Sequence, residues 1–143
     1  AHYGSKYEIF QHPASVNVAQ LTGCKNFSRA NILSPQKIEA IDWGCTLEVR
    51  EKIPSELSYV GIRAHHLIFT KDPQQVNTFP CYLVRTSETP HRMTVFLKLH
   101  SVGNHANDYH LQGEIYKEKW VNIQDQSFPW YVHLEPSRLL LME

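Results

Sequence analysis

A mostly β fold is what the sequence predicts: a barrel or sandwich of short strands behind a short helical lead. Three observations carry this. From residue 37 onward, polar and apolar residues alternate in short runs instead of recurring at helical spacing. Clusters of Gly, Pro, Asp, Asn and Ser separate the runs at roughly 8–12 residues, the rhythm of a barrel or sandwich. Residues 4–22 do not share that rhythm, which places a boundary near residue 23.

The lead reads as two helical pieces. Ser5 and Glu8 fit a capping box, which satisfies free backbone N–H groups at a helix start. Pro13 interrupts and suits the first turn of a second helix over 13–21, where a missing N–H costs nothing. Gly23 is a fitting stop. Lys37–Asp42 and Cys45–Arg50 alternate around Asp42-Trp43-Gly44, so 37–50 reads as a β-hairpin. Strands are then predicted over 58–63, 67–70, 78–86, 92–100, 110–115, 128–134 and 138–142. A loop is expected over 101–108, a short helix over 117–123 and a turn at Glu135-Pro136-Ser137. Asn26, Ser28, Arg29 and Asn31 read as a polar cluster following the helices.

With 143 residues, 42 % hydrophobic and 20 % charged, the chain can bury one ordinary core. Fourteen basic residues balance fourteen acidic ones, which argues against general nucleic-acid binding, since phosphate contacts need an excess of Lys and Arg. A single-stranded nucleic-acid module would use Trp43, Tyr82, Phe96, Trp120, Trp130 and Tyr131 for stacking, but barrel cores also consume aromatics. No apolar run approaches a membrane span, and the start lacks a basic stretch followed by an apolar one. The absent initiator methionine is read as the mark of a piece of something longer. Cys24, Cys45 and Cys81 are odd in number and widely spaced, so reduced thiols are expected.

Nine histidines invite a metal reading. His65 and His66 are adjacent and would face opposite ways on a strand. His100, His105 and His110 recur every five residues, matching neither helix nor strand face, and HExxH and CxxC are absent. No metal site is expected. GxSxG, GxxxxGK[ST] and GxGxxG are also missing, so no enzyme activity and no nucleotide cofactor are expected within this chain. His133 and Glu135 make a pair that any β protein of this size offers. Anion binding is the remaining chemistry: Arg63, Arg85, Arg92 and Lys98 lie on or beside predicted strands, and guanidinium, amide and hydroxyl donors can hold a tetrahedral oxyanion without a metal.

Several stretches carry a resemblance. Residues 8–23, EIFQHPASVNVAQLTG, resemble the EIYxxPANxFVAxFxG segment that follows the nucleotide-binding core in ATP-binding subunits of bacterial ABC importers. Glu8, Ile9, Phe10, Pro13, Ala14, Val18, Ala19 and Gly23 match in register, while Ser15 stands where that family has Asn. Gly23–Phe27 resembles its G-x-x-N junction into the accessory domain. Val60-Gly61-Ile62-Arg63-Ala64-His65-His66-Leu67 resembles its VGIRPEDL, with Ala64 replacing Pro and His65-His66 replacing the acidic pair. The tail, 132–141, resembles its closing strand, turn and strand. The hairpin IEAIDWGCTLEV is similar to versions in importers of molybdate, tungstate or sulfate type, and Asn26–Asn31 loosely resembles the SARN motif of small molybdate-binding proteins. Residues 71–127 carry no motif.

The resemblance implies a C-terminal transport-associated, OB-like β-barrel over 23–143, with 1–22 the trailing helices of an ATPase domain. ATP and magnesium would belong to that upstream domain, and this portion would hold no cofactor. The implied partners are a second copy of the chain, the ATPase domain, transmembrane permease subunits and an oxyanion such as molybdate, with no nucleic acid. The implied location is cytoplasmic, at the inner membrane face through the transporter. Ser28, Arg29, Asn31, Arg63 and Lys98 are the expected anion donors. His65 and His66 would add donors when protonated, so anion affinity is expected to strengthen from about pH 7.5 to 6.

Overall fold

The computed structural model describes residues 19–20 and 23–143. Among them, ten strands form two antiparallel five-stranded sheets. The chain divides into two compact units, residues 1–63 with 136–143, and residues 64–135. Each unit carries one sheet.

The first sheet contains β1 (Asn26–Ser34), β2 (Lys37–Ala40), β3 (Cys45–Glu48), β4 (Tyr59–Ile62) and β10 (Leu140–Met142), in the order β10-β4-β1-β2-β3. The predicted hairpin over 37–50 is present as β2 and β3, with Ala40 opposite Cys45. Its alternation is the expected one: Ile38, Ala40, Cys45 and Leu47 are buried while Lys37, Glu39, Thr46 and Glu48 are exposed. Gly44 closes the turn at φ +65°, a conformation that side chains with a Cβ resist. The predicted helices over 4–21 lie outside the described residues except for Ala19 and Gln20, which are helical. Gly23 does end that helix. At φ +94° it donates its N–H to the Gln20 carbonyl, and Cys24 donates to the Ala19 carbonyl at 2.9 Å, the paired bonds of a Schellman stop. Ala19 and Cys24 are then buried together with Leu140 and Met142.

β1 is the strand that alternation did not reveal. Its buried residues are Asn26, Ser28 and Ala30, and its exposed ones include Arg29, Asn31, Ile32 and Leu33. Two of the three buried positions are polar and two exposed ones are apolar, so a reading based on apolar alternation finds a polar cluster instead of a strand.

The second sheet contains β5 (Ile68–Thr70), β6 (Thr78–Glu88), β7 (Arg92–Leu99), β8 (Leu111–Tyr116) and β9 (Trp130–His133), in the order β5-β9-β6-β7-β8. β6 and β7 form a long hairpin around Thr89–His91, with a bulge between Leu83 and Arg85. Cys81, Val95, Leu97, Leu111, Val132 and Leu134 are fully buried in this unit. The helix α1 (Lys117–Ile123) falls on the predicted residues and continues directly from β8. His65 and His66 lie in a 3-10 turn, Ala64–His66, with ring centroids 4.1 Å apart. That turn reaches β8 where Gly113 lacks a side chain: a Cβ there would sit 3.2 Å from Leu67 Cδ1. The three cysteines are free and buried, and burial pushes the thiols of Cys45 and Cys81 up to about 12.

Candidate functional site

The expected anion donors fall in both units. Ser28, Arg29, Asn31 and Arg63 belong to the first, and Lys98, His65 and His66 to the second.

In the first unit, Ser28 and Arg29 come together on β1, and both hold the hairpin turn. The buried Ser28 hydroxyl donates to the Arg29 carbonyl and accepts the Asp42 N–H, each at 2.9 Å. Arg29 grips the Asp42 carboxylate through Nε (3.1 Å), Nη2 (2.9 Å) and its own backbone N–H (2.8 Å). The guanidinium holds the Asp42 carboxyl below its usual range. The pair is well exposed, so solvent screening keeps its contribution to stability small. Asn31 donates to Glu39 across the β1–β2 pair. Arg63 is buried at the end of β4.

In the second unit, Lys98 is paired with Asp108, whose carboxyl it draws below the usual range. Each of Arg29, Asn31 and Lys98 therefore faces a carboxylate of its own unit. An incoming dianion would have to displace that carboxylate.

Next to Lys98, the Leu99 backbone N–H donates to His110 Nδ1 at 2.9 Å. The accepting nitrogen must carry no proton, so the geometry selects neutral His110. Burial lowers its pKa, and Lys98 and His100 lower it further while Asp108 opposes them. A folded pKa below the unfolded value means that the unfolded chain binds the proton first. Stability is thus complete above about pH 6.5 and falls as pH drops through and below that value. A melting series from pH 7.5 to 5 is expected to show this decline, and His110→Asn, whose Oδ1 can accept the same bond, should flatten part of it. Identical slopes for both proteins would refute the assignment.

His133 and Glu135 tie a loop to β9. Nδ1 of buried His133 donates to the Val76 carbonyl at 2.7 Å, and Nε2 lies 3.1 Å from the Glu135 carboxylate. Both ring nitrogens are committed to this contact.

Of the six aromatic side chains named as stacking candidates, three are buried and three are partly exposed. Trp43, Phe96 and Trp130 are all less than 10 % exposed. Phe96 lies beneath the Arg85 guanidinium, 3.7 Å from its ring centre, and Trp130 stacks on Phe128.

A cleft of about 440 Å³ in the second unit has charged walls. Residues of both edge strands line it, Ile68 and Phe69 from β5 and Glu114, Ile115 and Tyr116 from β8. Arg92 sits opposite Tyr116 in register and diagonal to Glu114, so all three share one end of the β7–β8 ladder. Arg92 donates to Glu114 at 2.8 Å and to the Tyr116 hydroxyl at 3.5 Å. His65 and Lys119 complete the polar wall. Of the sequence candidates, Arg92 and His65 reach this cleft, while Glu114, Tyr116 and Lys119 were not singled out. The strand prediction at 110–115 and the helix at 117–123 carried the only signal for them, because their meeting depends on register.

No protein-family model matches this chain, and no curated protein matches it.

Proposed function

We propose that this chain is the C-terminal accessory portion of an ATP-binding subunit of a bacterial ABC importer, serving to pair two such subunits and regulate them. One observation carries the reading. Pieces of the resembling stretches, far apart in sequence, lie on three neighbouring strands. Asn26 and Phe27 of the Gly23–Phe27 junction begin β1, Val60–Ile62 lie in β4, and Leu140 and Leu141, the end of the closing tail, lie in β10, in the order β10-β4-β1. Ala19 of the opening stretch is buried with Cys24 of the junction, with Leu140 of the tail and with Met142 just beyond it. Segments that resemble one family in order and also lie on neighbouring strands support reading them as a single structural motif.

The OB-like barrel, the boundary near residue 23 and a position at the inner membrane face belong to this proposal. No helix among the described residues is long and apolar enough to cross a membrane.

The carboxylate beside Arg29, Asn31 and Lys98 favours a pairing role that needs no ligand over oxyanion sensing. Sensing would require the anion to favour the paired state by its differential affinity. Thermal titration with molybdate, tungstate and sulfate separates the two, because a ligand that binds the folded state raises the melting temperature with the logarithm of its concentration above Kd. A dimer by ultracentrifugation with no thermal shift is the expected result. A concentration-dependent shift, strengthened by Asp42→Asn, would instead establish Arg29 as an anion ligand.

A further inference from the structure

We propose that the cleft between β5 and β8 binds a small organic monoanion with an apolar body, of the aryl carboxylate class. The inference rests on the second unit alone and is independent of the importer reading.

The walls set the chemistry. Leu67, Phe69, Ile115 and Ile123 provide an apolar lining. At about 440 Å³ the cleft falls within the usual range for small-molecule sites, roughly 300–1,000 Å³. The polar wall holds Arg92, Lys119, His65 and one carboxylate, Glu114. Arg92 neutralises Glu114 at 2.8 Å and is further held by Tyr116, with its guanidinium 5.0 Å from that ring centre. Lys119 makes no ion pair or hydrogen bond among the described residues. The lining thus has one cation without a carboxylate partner, Lys119, beside an apolar floor.

That arrangement discriminates among anions. An inorganic dianion needs several directed donors and gains nothing from Leu67, Phe69, Ile115 and Ile123. Glu114 would also repel it, since only one carboxylate-sized charge is left to neutralise. A monoanion with a ring gives Lys119 a charge-assisted partner and buries its ring on the floor. A neutral ring molecule keeps the apolar contact and forgoes the ionic one.

The test is calorimetric titration of the full chain with 2-naphthoate, 2-naphthylmethanol and sulfate, with methyl NMR shifts of Leu67, Ile115 and Ile123 locating the site. Naphthoate is expected to bind and to move those methyls, with the alcohol several-fold weaker. Lys119→Gln, at an exposed position that should not affect folding, is expected to weaken naphthoate about threefold to tenfold. It should leave the alcohol unchanged, and Lys119→Arg should restore naphthoate binding. No methyl shift at about 10 mM naphthoate, at the weak end of measurable affinity, would overturn the proposal. So would equal binding of alcohol and naphthoate, or indifference to Lys119→Gln. Sulfate producing the same methyl shifts at the same concentration would replace it with an inorganic anion site.

Discussion

Gly61→Val is expected to destabilise the first unit by about 3 kcal/mol or more, at the upper end of overpacking. A Cβ at position 61 would lie 3.0 Å from the Asn26 carbonyl oxygen, 3.1 Å from Met142 Cε and 3.3 Å from Cys24 Sγ. The nearest of these is backbone of the neighbouring strand β1, which cannot yield without disturbing the ladder in which Phe27 faces Gly61. Cys24 belongs to the junction into β1 and Met142 ends β10, so this one missing side chain lets the segments around β4 close on one another. Gly61→Ala should cost less, since only the first carbon must be accommodated. Urea unfolding curves of the three proteins measure the effect. A valine variant within about 0.5 kcal/mol of the parent would mean that the strands are not packed as described.

Trp43→Ala is expected to cost about 3–5 kcal/mol, the range for emptying a fully buried aromatic site. Trp43 is 1 % exposed although it sits in a hairpin turn, and its Nε1 has no hydrogen-bond partner among the described residues. Leaving a buried donor unpaired is itself unfavourable. Trp43→Phe removes that donor while keeping most of the ring, so it should cost far less than the alanine change. The same denaturation series compares them. Equal losses for Phe and Ala would show that the indole N–H is satisfied after all and that its bond matters.

These two positions also show what the sequence could convey. The hairpin at 37–50 and the helix at 117–123 were legible because local alternation and turn chemistry decide them. Trp43 was legible only as a turn residue, because its burial depends on how the turn folds back onto β1. β1 itself was hidden by its inward Asn26 and Ser28, which point to the core at 3 % and 1 % exposure. Residue types chosen for partners do not obey a pattern based on hydropathy. Arg29 and Lys98 looked like available cations because their carboxylates stand 13 and 10 residues away in sequence, at distances that only the fold sets. The cleft was hidden for the same reason. Arg92 meets Glu114 through the β7–β8 register, and Lys119 arrives on a helix that continues from β8.

The opposite case is VGIR. Its adjacent histidines suggested a site of their own, but they form a short 3-10 turn with touching rings. The structural weight of the stretch lies instead in Gly61, which no charge or motif of catalysis marks.

The most direct test of the importer reading is the identity of the cellular polypeptide that contains these residues. Antibodies against this chain, followed by intact mass and peptide sequencing, would supply it. The account predicts a polypeptide heavier than 16.6 kDa, with an ATPase domain carrying GxxxxGK[ST] running into residue 1. A cellular polypeptide with no phosphate-binding loop upstream of these residues would contradict it.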